Sequence, residues 1–438
     1  METISKNRWI SSLNVFSSKI LMPIIAILFI CTNTVLNLWI GERIETIQNL
    51  LAIVILFIIA VNLLSSPRNN LIPWLKSNVL VVAYFIIRLI SLWQSGFDYS
   101  VIRTIFFEMF FLIGICKFTI NTVNGRTFYI KFFIWFELII SLLCFLMFFV
   151  VPHLGPSFQE MVVTNTYYGK FPTASLFSNV NTAGIMAGFS IVLSIAIYKK
   201  NILPGKFVIA FGLYNILALI FFGARSADIG IIVVLLFIGI KYISKSGNLK
   251  RVTIIALCLM VLTLIPIYGM IGYYESKATL SYEPAESKLN SLSSARYVIW
   301  KECFITQQDN LLFGKGNLNL EQEARKELMS HYRSGTVYYQ YFSTTEVGPH
   351  NGYIGMISGT GWLGFLVFIA ILIQRIRRSK SLESGNWYLL LIFFFAINCF
   401  ESLFILNRFF ICFYMFLILE SDWEKGDETY LDNIKTDK

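Results

Sequence analysis

Residues 51–61 read LAIVILFIIAV, and this unbroken apolar run decides the class of fold. Residues 254–262, which read IIALCLMVL, repeat the pattern far along the chain. Strands of a transmembrane barrel alternate apolar and polar residues over about 10 positions, so continuous runs of this kind exclude a barrel. A helix crosses a bilayer with about 20 mostly apolar residues. Both runs are therefore typical of membrane-spanning helices.

The composition of the whole chain agrees with these two runs. Of the 438 residues, 56% are hydrophobic and 14% are charged, whereas soluble domains are about 25% charged. About twelve apolar segments recur, and the sequence therefore predicts an all-α polytopic membrane protein with about 12 transmembrane helices. The approximate spans are 21–40, 47–64, 78–96, 101–120, 131–152, 180–198, 207–224, 227–244, 252–272, 351–373, 387–404 and 406–420.

The basic residues are distributed unequally around these spans. With the N-terminus in the cytoplasm, 22 Lys and Arg residues fall in cytoplasmic segments and five fall in the short loops of the other face. Positive charge accumulates on the cytoplasmic side of membrane proteins. We therefore expect both termini to be cytoplasmic and the protein to lie in the cytoplasmic membrane. The net charge of +10 then reflects orientation, and no nucleic-acid partner is expected.

This topology divides the chain into four parts. They are residues 1–272 with helices one to nine and a smaller outer loop at 153–180, an extracytoplasmic loop domain at 273–350, the last three helices at 351–420, and a cytoplasmic tail at 421–438. Within the loop domain, residues 291–307 have the apolar spacing of an amphipathic helix and residues 321–333 that of a more polar one. Cys303 is the single cysteine there, so we expect no intramolecular disulfide framework.

Charged side chains inside the predicted spans require an explanation, because each costs at least about 2.5–3.5 kcal/mol at the middle of a helix. Arg88 lies deep in the third span, and Arg103 and Glu108 lie in the fourth. Arg103 and Glu108 are too far round one helix for an ideal pair. We therefore expect Glu108 to meet Arg88 on the neighbouring span. Glu401 and Arg408 lie near the outer turn of the last hairpin.

Arg225 has a different setting from the other charged residues. It lies within residues 222–228, FGARSAD, beside small residues at the predicted outer interface. A lipid headgroup or a phosphate could reach its guanidinium there, and an ordinary snorkelling arginine is the alternative.

Residues 348–353, GPHNGY, lead directly into the tenth span. Asn351 is a good helix cap, and the unpaired amides of a helix start form an anion site. A lone histidine at such a place is more often an interface residue than a catalyst, so His350 has both interpretations. The glycines that would let another helix or a prenyl chain approach the backbone closely are Gly352, Gly355, Gly359, Gly361 and Gly364.

These residues resemble the bacterial O-antigen ligase and Wzy-type polysaccharide polymerase superfamily. Its ligase branch has a His-(Asn/Ser/Gln)-x9-Gly-x-x-Gly pattern at the end of the large outer loop, and residues 350–364 fit that pattern in full. Residues 175–184, 223–226 and 294–316 are similar to weaker features of the superfamily. Many relatives have a proline between Asn179 and Asn181, where this chain has valine.

The resemblance implies a GT-C-like membrane glycosyltransferase that uses undecaprenyl-pyrophosphate-linked glycans as donor and acceptor. It implies that Arg225 and Arg296 bind the pyrophosphate. His350 would be the general base or else a hydrogen-bond partner of the pyrophosphate. The further candidate substrate contacts are Asn351, Asn179, Asn181 and Arg103. Helix capping is the alternative role for the two asparagines of residues 179–181, and a solvated helix position is the alternative for Arg296.

No cofactor is expected, and no metal, because the carboxylates and the three histidines are scattered without a ligand pattern. General resemblance favours a polymerase that joins repeat units into O-antigen, capsular or exopolysaccharide chains. A ligase that moves a finished glycan to another acceptor is the alternative within the superfamily. A flippase or exporter is the alternative from another class, although it would not need the loop domain. The expected partners are the lipid-linked glycans, the lipid bilayer and a chain-length regulator.

Overall fold

Most of the described chain is helical in the computed structural model. Its long apolar helices are those of a multi-pass membrane protein. The structure describes residues 22–31, 46–47, 50, 53–54, 57, 76, 78–109, 112, 123–150, 163–164, 173–174, 176–177, 180–244, 248–277, 296–316, 326, 329–330, 348–383, 385–404 and 410–420.

The helices with described bounds are labelled in chain order. They are α1 (Met22–Cys31), α2 (Val79–Gln94), α3 (Tyr99–Met109), α4 (Val123–Val150), α5 (Val180–Ile197), α6 (Gly205–Phe222), α7 (Arg225–Ser244), α8 (Leu249–Leu262), α9 (Leu264–Lys277), α10 (Arg296–Gln307), α11 (Gly352–Arg378), α12 (Trp387–Ile397) and α13 (Phe410–Glu420). A short 3₁₀ turn, Gln308–Asn310, follows α10.

Four helices of the described part are long and apolar enough to cross a membrane. They are Thr127–Leu146, Gly205–Phe222, Leu249–Gly272 and Gly352–Arg378, and five shorter apolar helices accompany them. The spans predicted at 180–198, 207–224 and 227–244 coincide with α5, α6 and α7 to within a few residues. The total of twelve spans and the GT-C-like fold stay predictions, and the span at 47–64 lies largely outside the described residues.

One feature departs from the all-α prediction. Inside the predicted outer loop at 153–180, strand β1 (Val163–Thr164) pairs antiparallel with β2 (Thr173–Ala174), with Val163 opposite Ala174. Two-residue strands are too short to produce the four-residue alternation by which a strand is recognised in sequence. In the loop before α11, the amphipathic helix predicted at 291–307 is confirmed as α10. The helix predicted at 321–333 falls mostly outside the described residues.

The core of the bundle lies around α12. All eleven residues of α12 are buried, as expected for a helix that is apolar on every side. It packs against α5, α7 and α8. Small residues allow this close packing: a Cβ added to Gly184 of α5 would overlap the Cβ of Ala224, at the turn between α6 and α7. The start of α5 and the start of α7 therefore lie side by side.

Candidate functional site

The site is built around the start of α11. His350 has a backbone φ of 47°, in the left-handed region that costs an ordinary residue free energy. Asn351 follows as the helix cap, and its Oδ1 accepts hydrogen bonds from the amides of Tyr353 and Ile354, each at 3.0 Å. The capping predicted from the sequence is confirmed.

The anion site predicted at this helix start is contradicted by the structure. Asn351 is fully buried, and its Nδ2 donates to the carbonyl of Cys399. The amide of Gly352 donates to the carbonyl of Asn398, and that of Gly355 donates to the carbonyl of Asn351. Together with the two capped amides, the first turn is satisfied within the protein. Asn351 therefore holds the site together and does not present itself to a substrate.

A carboxylate that the sequence did not single out for the site joins three of the predicted residues. Glu401, which is 7% exposed, follows α12. Its Oε1 accepts from Nη2 of Arg296 at 2.8 Å and from Nδ2 of Asn181 at 2.9 Å. Its Oε2 lies 3.2 Å from Nδ1 of His350. The contact to Glu401 also shows that Asn181 does more than cap a helix.

The turn that carries Glu401 is itself fixed by an asparagine. Oδ1 of Asn398 accepts from the amides of Leu403 and Phe404, each at 3.1 Å, and its Nδ2 donates to the carbonyl of Phe394. Buried polar side chains need such complete pairing. Because the start of α11 also bonds to Asn398 and to Cys399, the carboxylate and the histidine are held by one connected set of hydrogen bonds.

Helix α10 lies along the first half of α11 and brings Arg296 to Glu401. Nε1 of Trp300 donates to the carbonyl of Pro349 at 2.9 Å. Two turns further along α10, Nε2 of Gln307 donates to Oγ of Ser358 at 2.7 Å. Later residues of α10 contact later residues of the α11 segment, so the two segments pack in parallel. Arg296, at the first position of α10, therefore lies beside the start of α11.

Gly361, the first glycine of the motif's pair, has a structural role that the sequence did not predict. Gly361 interrupts α11 with φ 66° and ψ 177°, a backbone conformation that is essentially restricted to glycine. The break lets the loop after α10 dock, because the amide of Trp362 donates to the carbonyl of Leu311 and the amide of Leu363 donates to that of Leu312. A protein loop, and not a prenyl chain, occupies the space beside Gly361.

The ion pair predicted between Arg88 and Glu108 is confirmed, and it supports the same loop. Nε of Arg88 lies 2.8 Å from Oε2 of Glu108, with both side chains buried. Nη1 of Arg88 donates to the carbonyls of Gly316 and Gly359, at 3.1 and 3.0 Å. Pairing and hydrogen bonding together offset part of the cost of burying the two charges. The pair thus connects α2 and α3 to the docked loop and to α11.

Arg225 lies at the same end of the bundle but is exposed. It is the first residue of α7, just after Gly223 ends α6 in the left-handed conformation. The contact between Gly184 and Ala224 places this turn beside the first turns of α5, where Asn181 meets Glu401. Its role in the site stays a prediction. Asn179 lies outside the described residues, as does the side chain of Arg103, whose backbone belongs to α3.

The segment that carries most of these site residues is similar to a known protein family. Residues 210–369 match the model of the O-antigen ligase family. This segment of the chain is therefore similar to the O-antigen ligase and Wzy-type superfamily. The matched segment includes Arg225, Arg296, His350 and the glycine pair, and it ends before Glu401. No curated protein and no solved structure matches the chain.

Cysteine and metal chemistry can also be compared with the residues of this site. Burial raises the pKa of the Cys303 thiol to about 12, so this residue of α10 is protonated at neutral pH and poorly suited to act as a nucleophile. Among the described residues, no group of three or more His, Cys, Asp or Glu side chains could hold a metal ion. Around Glu401, by contrast, the structure assembles a histidine, an arginine and an asparagine.

Glu401 shows what sequence reasoning missed. The sequence did mark it as a charged residue near an apolar hairpin, and that cost is the signal by which it could have been found. Its partners, however, are 51, 105 and 220 residues away along the chain. No local spacing connects positions so far apart.

Proposed function

We propose that this O-antigen ligase-type protein polymerises undecaprenyl-pyrophosphate-linked repeat units into O-antigen, capsular or exopolysaccharide chains. The reaction would take place at the outer face of the cytoplasmic membrane. The observation that carries the proposal is the contact of one buried carboxylate, Glu401, with both His350 and Arg296. Such a group can orient a base and a phosphate-binding cation toward one reaction centre.

The first requirement of glycan transfer is a base for the acceptor hydroxyl. With Glu401 at Nδ1, the histidine carries its proton on that nitrogen, and Nε2 is the atom that accepts a proton. A carboxylate in this position fixes the orientation of the ring and stabilises the imidazolium that forms. The side chain of His350 is 23% exposed, so an acceptor can reach it. His350 therefore suits the role of general base.

The second requirement is stabilisation of the leaving pyrophosphate. Arg296 uses Nη2 to bind Glu401, and a guanidinium has five N–H donors in all. Its side chain is 21% exposed, so the remaining edge can meet a phosphate through two parallel hydrogen bonds. Arg225, at the same end of the bundle, would add a second cation. Preorganised cations of this kind lower the free energy of the transition state as charge develops.

In the proposed transfer step, a glycosidic bond forms as the bond to pyrophosphate breaks. The acceptor oxygen bonds to the anomeric carbon of the donor, and its proton moves to Nε2 of His350. The bond between the anomeric carbon and the pyrophosphate oxygen breaks, and both electrons leave with undecaprenyl pyrophosphate. Repetition of this step with lipid-linked repeat units lengthens the chain. A ligase would carry out the same step with a different acceptor.

The sidedness of the site follows from the distribution of charge in the sequence. We assign the end of the bundle with His350, Arg225 and Glu401 to the outer face, because the opposite ends of α5 and α11 carry the basic clusters Lys199–Lys200 and Arg375–Arg378. Positive residues mark the cytoplasmic side. We also propose the domain division predicted from the sequence, which is 1–272, 273–350, 351–420 and 421–438.

Purified protein and a defined lipid-linked repeat unit provide the direct test of polymerase activity. We expect glycans of increasing length on undecaprenyl pyrophosphate, with release of undecaprenyl pyrophosphate in proportion to the linkages formed. Lipid release without lengthening, and only when another acceptor such as a lipid A core is added, would identify a ligase. In cells without the gene, repeat units confined to the inner leaflet would instead indicate a flippase.

Arg225→Lys tests the second cation while the charge is kept. A lysine cannot reproduce the planar two-bond contact to phosphate, and hydrogen bonds to charged groups are worth about 1.5–3 kcal/mol. We expect transfer to fall roughly tenfold to a hundredfold in the purified assay. Arg251→Lys, at an exposed position on the opposite end of the bundle, is the matched control. Polymer of normal length and rate in Arg225→Lys would assign this residue to simple snorkelling.

A further inference from the structure

A second site lies at the end of the bundle opposite His350. Helix α5 begins beside Glu401, which bonds to Asn181, and it ends at Ile197. A helix of this length, at 1.5 Å per residue, spans about 27 Å. Features at the end of α5 are therefore separated from the proposed reaction centre by most of the thickness of the hydrocarbon core, which is about 30 Å.

At this far end, an open cavity of about 700 Å³ lies between α5 and α6. Its walls are largely apolar and include Ile191 and Ile195 of α5 and Ile209, Leu213 and Ile216 of α6. The α6 side chains are 43–59% exposed, so the cavity opens along the surface that faces lipid. A groove of this kind accepts a flexible hydrocarbon chain.

The mouth of the cavity differs from its walls. Tyr198, Lys199, Lys200, Gly385 and Asn386 line it. A Cβ added to Gly385 would lie 3.0 Å from Cε and 3.4 Å from Nζ of Lys200, so this lysine lies directly against the turn that precedes α12. Tyrosine and lysine side chains at such a level are typical of the boundary between hydrocarbon and headgroups. The mouth therefore combines two positive charges with an apolar interior.

We propose that this cavity binds an anionic glycerophospholipid, with an acyl chain between α5 and α6 and its phosphate between Lys199 and Lys200. The positive charges of the two lysines at the mouth select a negatively charged headgroup. The apolar walls bind an acyl chain, which a free phosphate lacks. Basic pockets between membrane helices on the cytoplasmic side bind anionic lipids in this way. The ligand belongs to the leaflet opposite the proposed glycan site, so the inference does not depend on the proposed activity.

Lipid exchange on the purified full-length protein tests the proposal. We would compare retention of phosphatidylglycerol and of phosphatidylcholine with identical acyl chains, by native mass spectrometry. Each basic residue near a membrane surface contributes roughly fivefold to the binding of anionic lipid, so Lys199→Gln with Lys200→Gln should lower phosphatidylglycerol binding roughly thirtyfold. Phosphatidylcholine binding should not change.

Two matched variants separate charge from shape. Lys206→Gln removes an exposed lysine of the same region that does not line the cavity, and it should retain the lipid. Leu213→Trp fills the groove at a position that is 59% exposed, and it should weaken binding of both lipids. Equal binding of the two lipids by the unaltered protein would overturn the proposal. So would displacement of bound phosphatidylglycerol by inorganic phosphate alone, because that would indicate an anion site without a chain-binding groove.

Discussion

Glu401→Gln is expected to lower the rate of glycan transfer by roughly 100- to 1,000-fold. The substitution keeps the size of the side chain but removes the negative charge that faces His350 and Arg296. An amide can still accept one hydrogen bond, but it no longer stabilises the imidazolium and leaves Arg296 without its ion-pair partner. Substitution of the carboxylate partner by an amide in a well-known histidine-dependent enzyme costs about 10⁴ in rate. The purified assay with a defined lipid-linked repeat unit measures the change.

Matched variants distinguish a role in the reaction from a role in folding. Glu383→Gln removes a carboxylate that is 53% exposed and pairs with Lys250, and the transfer rate should stay within about twofold because such surface pairs contribute little. Glu401→Asp keeps the charge and should recover part of the activity. The loss in Glu401→Gln should be in kcat more than in KM. Normal kcat in a stable Glu401→Gln protein would contradict the proposed orientation of His350.

Gly361→Ala is expected to have the largest effect on stability. A Cβ at this position would overlap the backbone of Leu312, and the φ of 66° with ψ of 177° is strained for any residue with a side chain. The combined cost of backbone strain and overpacking is roughly 2–6 kcal/mol. We expect a clear fall in the apparent Tm of the detergent-solubilised protein. Transfer should also fall in the purified assay, because α10 and Arg296 are positioned by the loop that docks there.

The control for Gly361→Ala is a glycine with open space around it. A Cβ added to Gly239 of α7 has no heavy atom within 4 Å, and alanine is favoured over glycine inside a helix by roughly 0.5–1 kcal/mol. Gly239→Ala should therefore leave the Tm unchanged or raise it slightly. A Gly361→Ala protein with unchanged Tm and full transfer activity would show that the docked loop adapts without cost.

Several parts of the site were predictable because their signals are local. Asn351 precedes an apolar run after a proline, and the structure confirms it as a cap. Arg88 and Glu108 are costly inside apolar helices, and this cost, with the poor helical spacing of Arg103 and Glu108, predicted the pair that the structure shows. The anion site at the start of α11 was wrong because the sequence could not show that Asn398 accepts the amide of Gly352. A free helix start and a satisfied one have the same sequence signature.

The sequence by itself determined the helical membrane class, the approximate helix positions and the residues worth suspecting, because hydropathy and the cost of buried charge act within a few turns of chain. Only the tertiary structure decided which of those residues meet. Glu401 became the centre of the site because the turn after α12 brings it to Arg296 and Asn181, and those contacts depend on the packing of helices far apart in sequence. Likewise, Gly361 became a docking point because a loop that follows α10 returns to α11. Long-range packing of this kind leaves no periodicity along the chain from which it could be read.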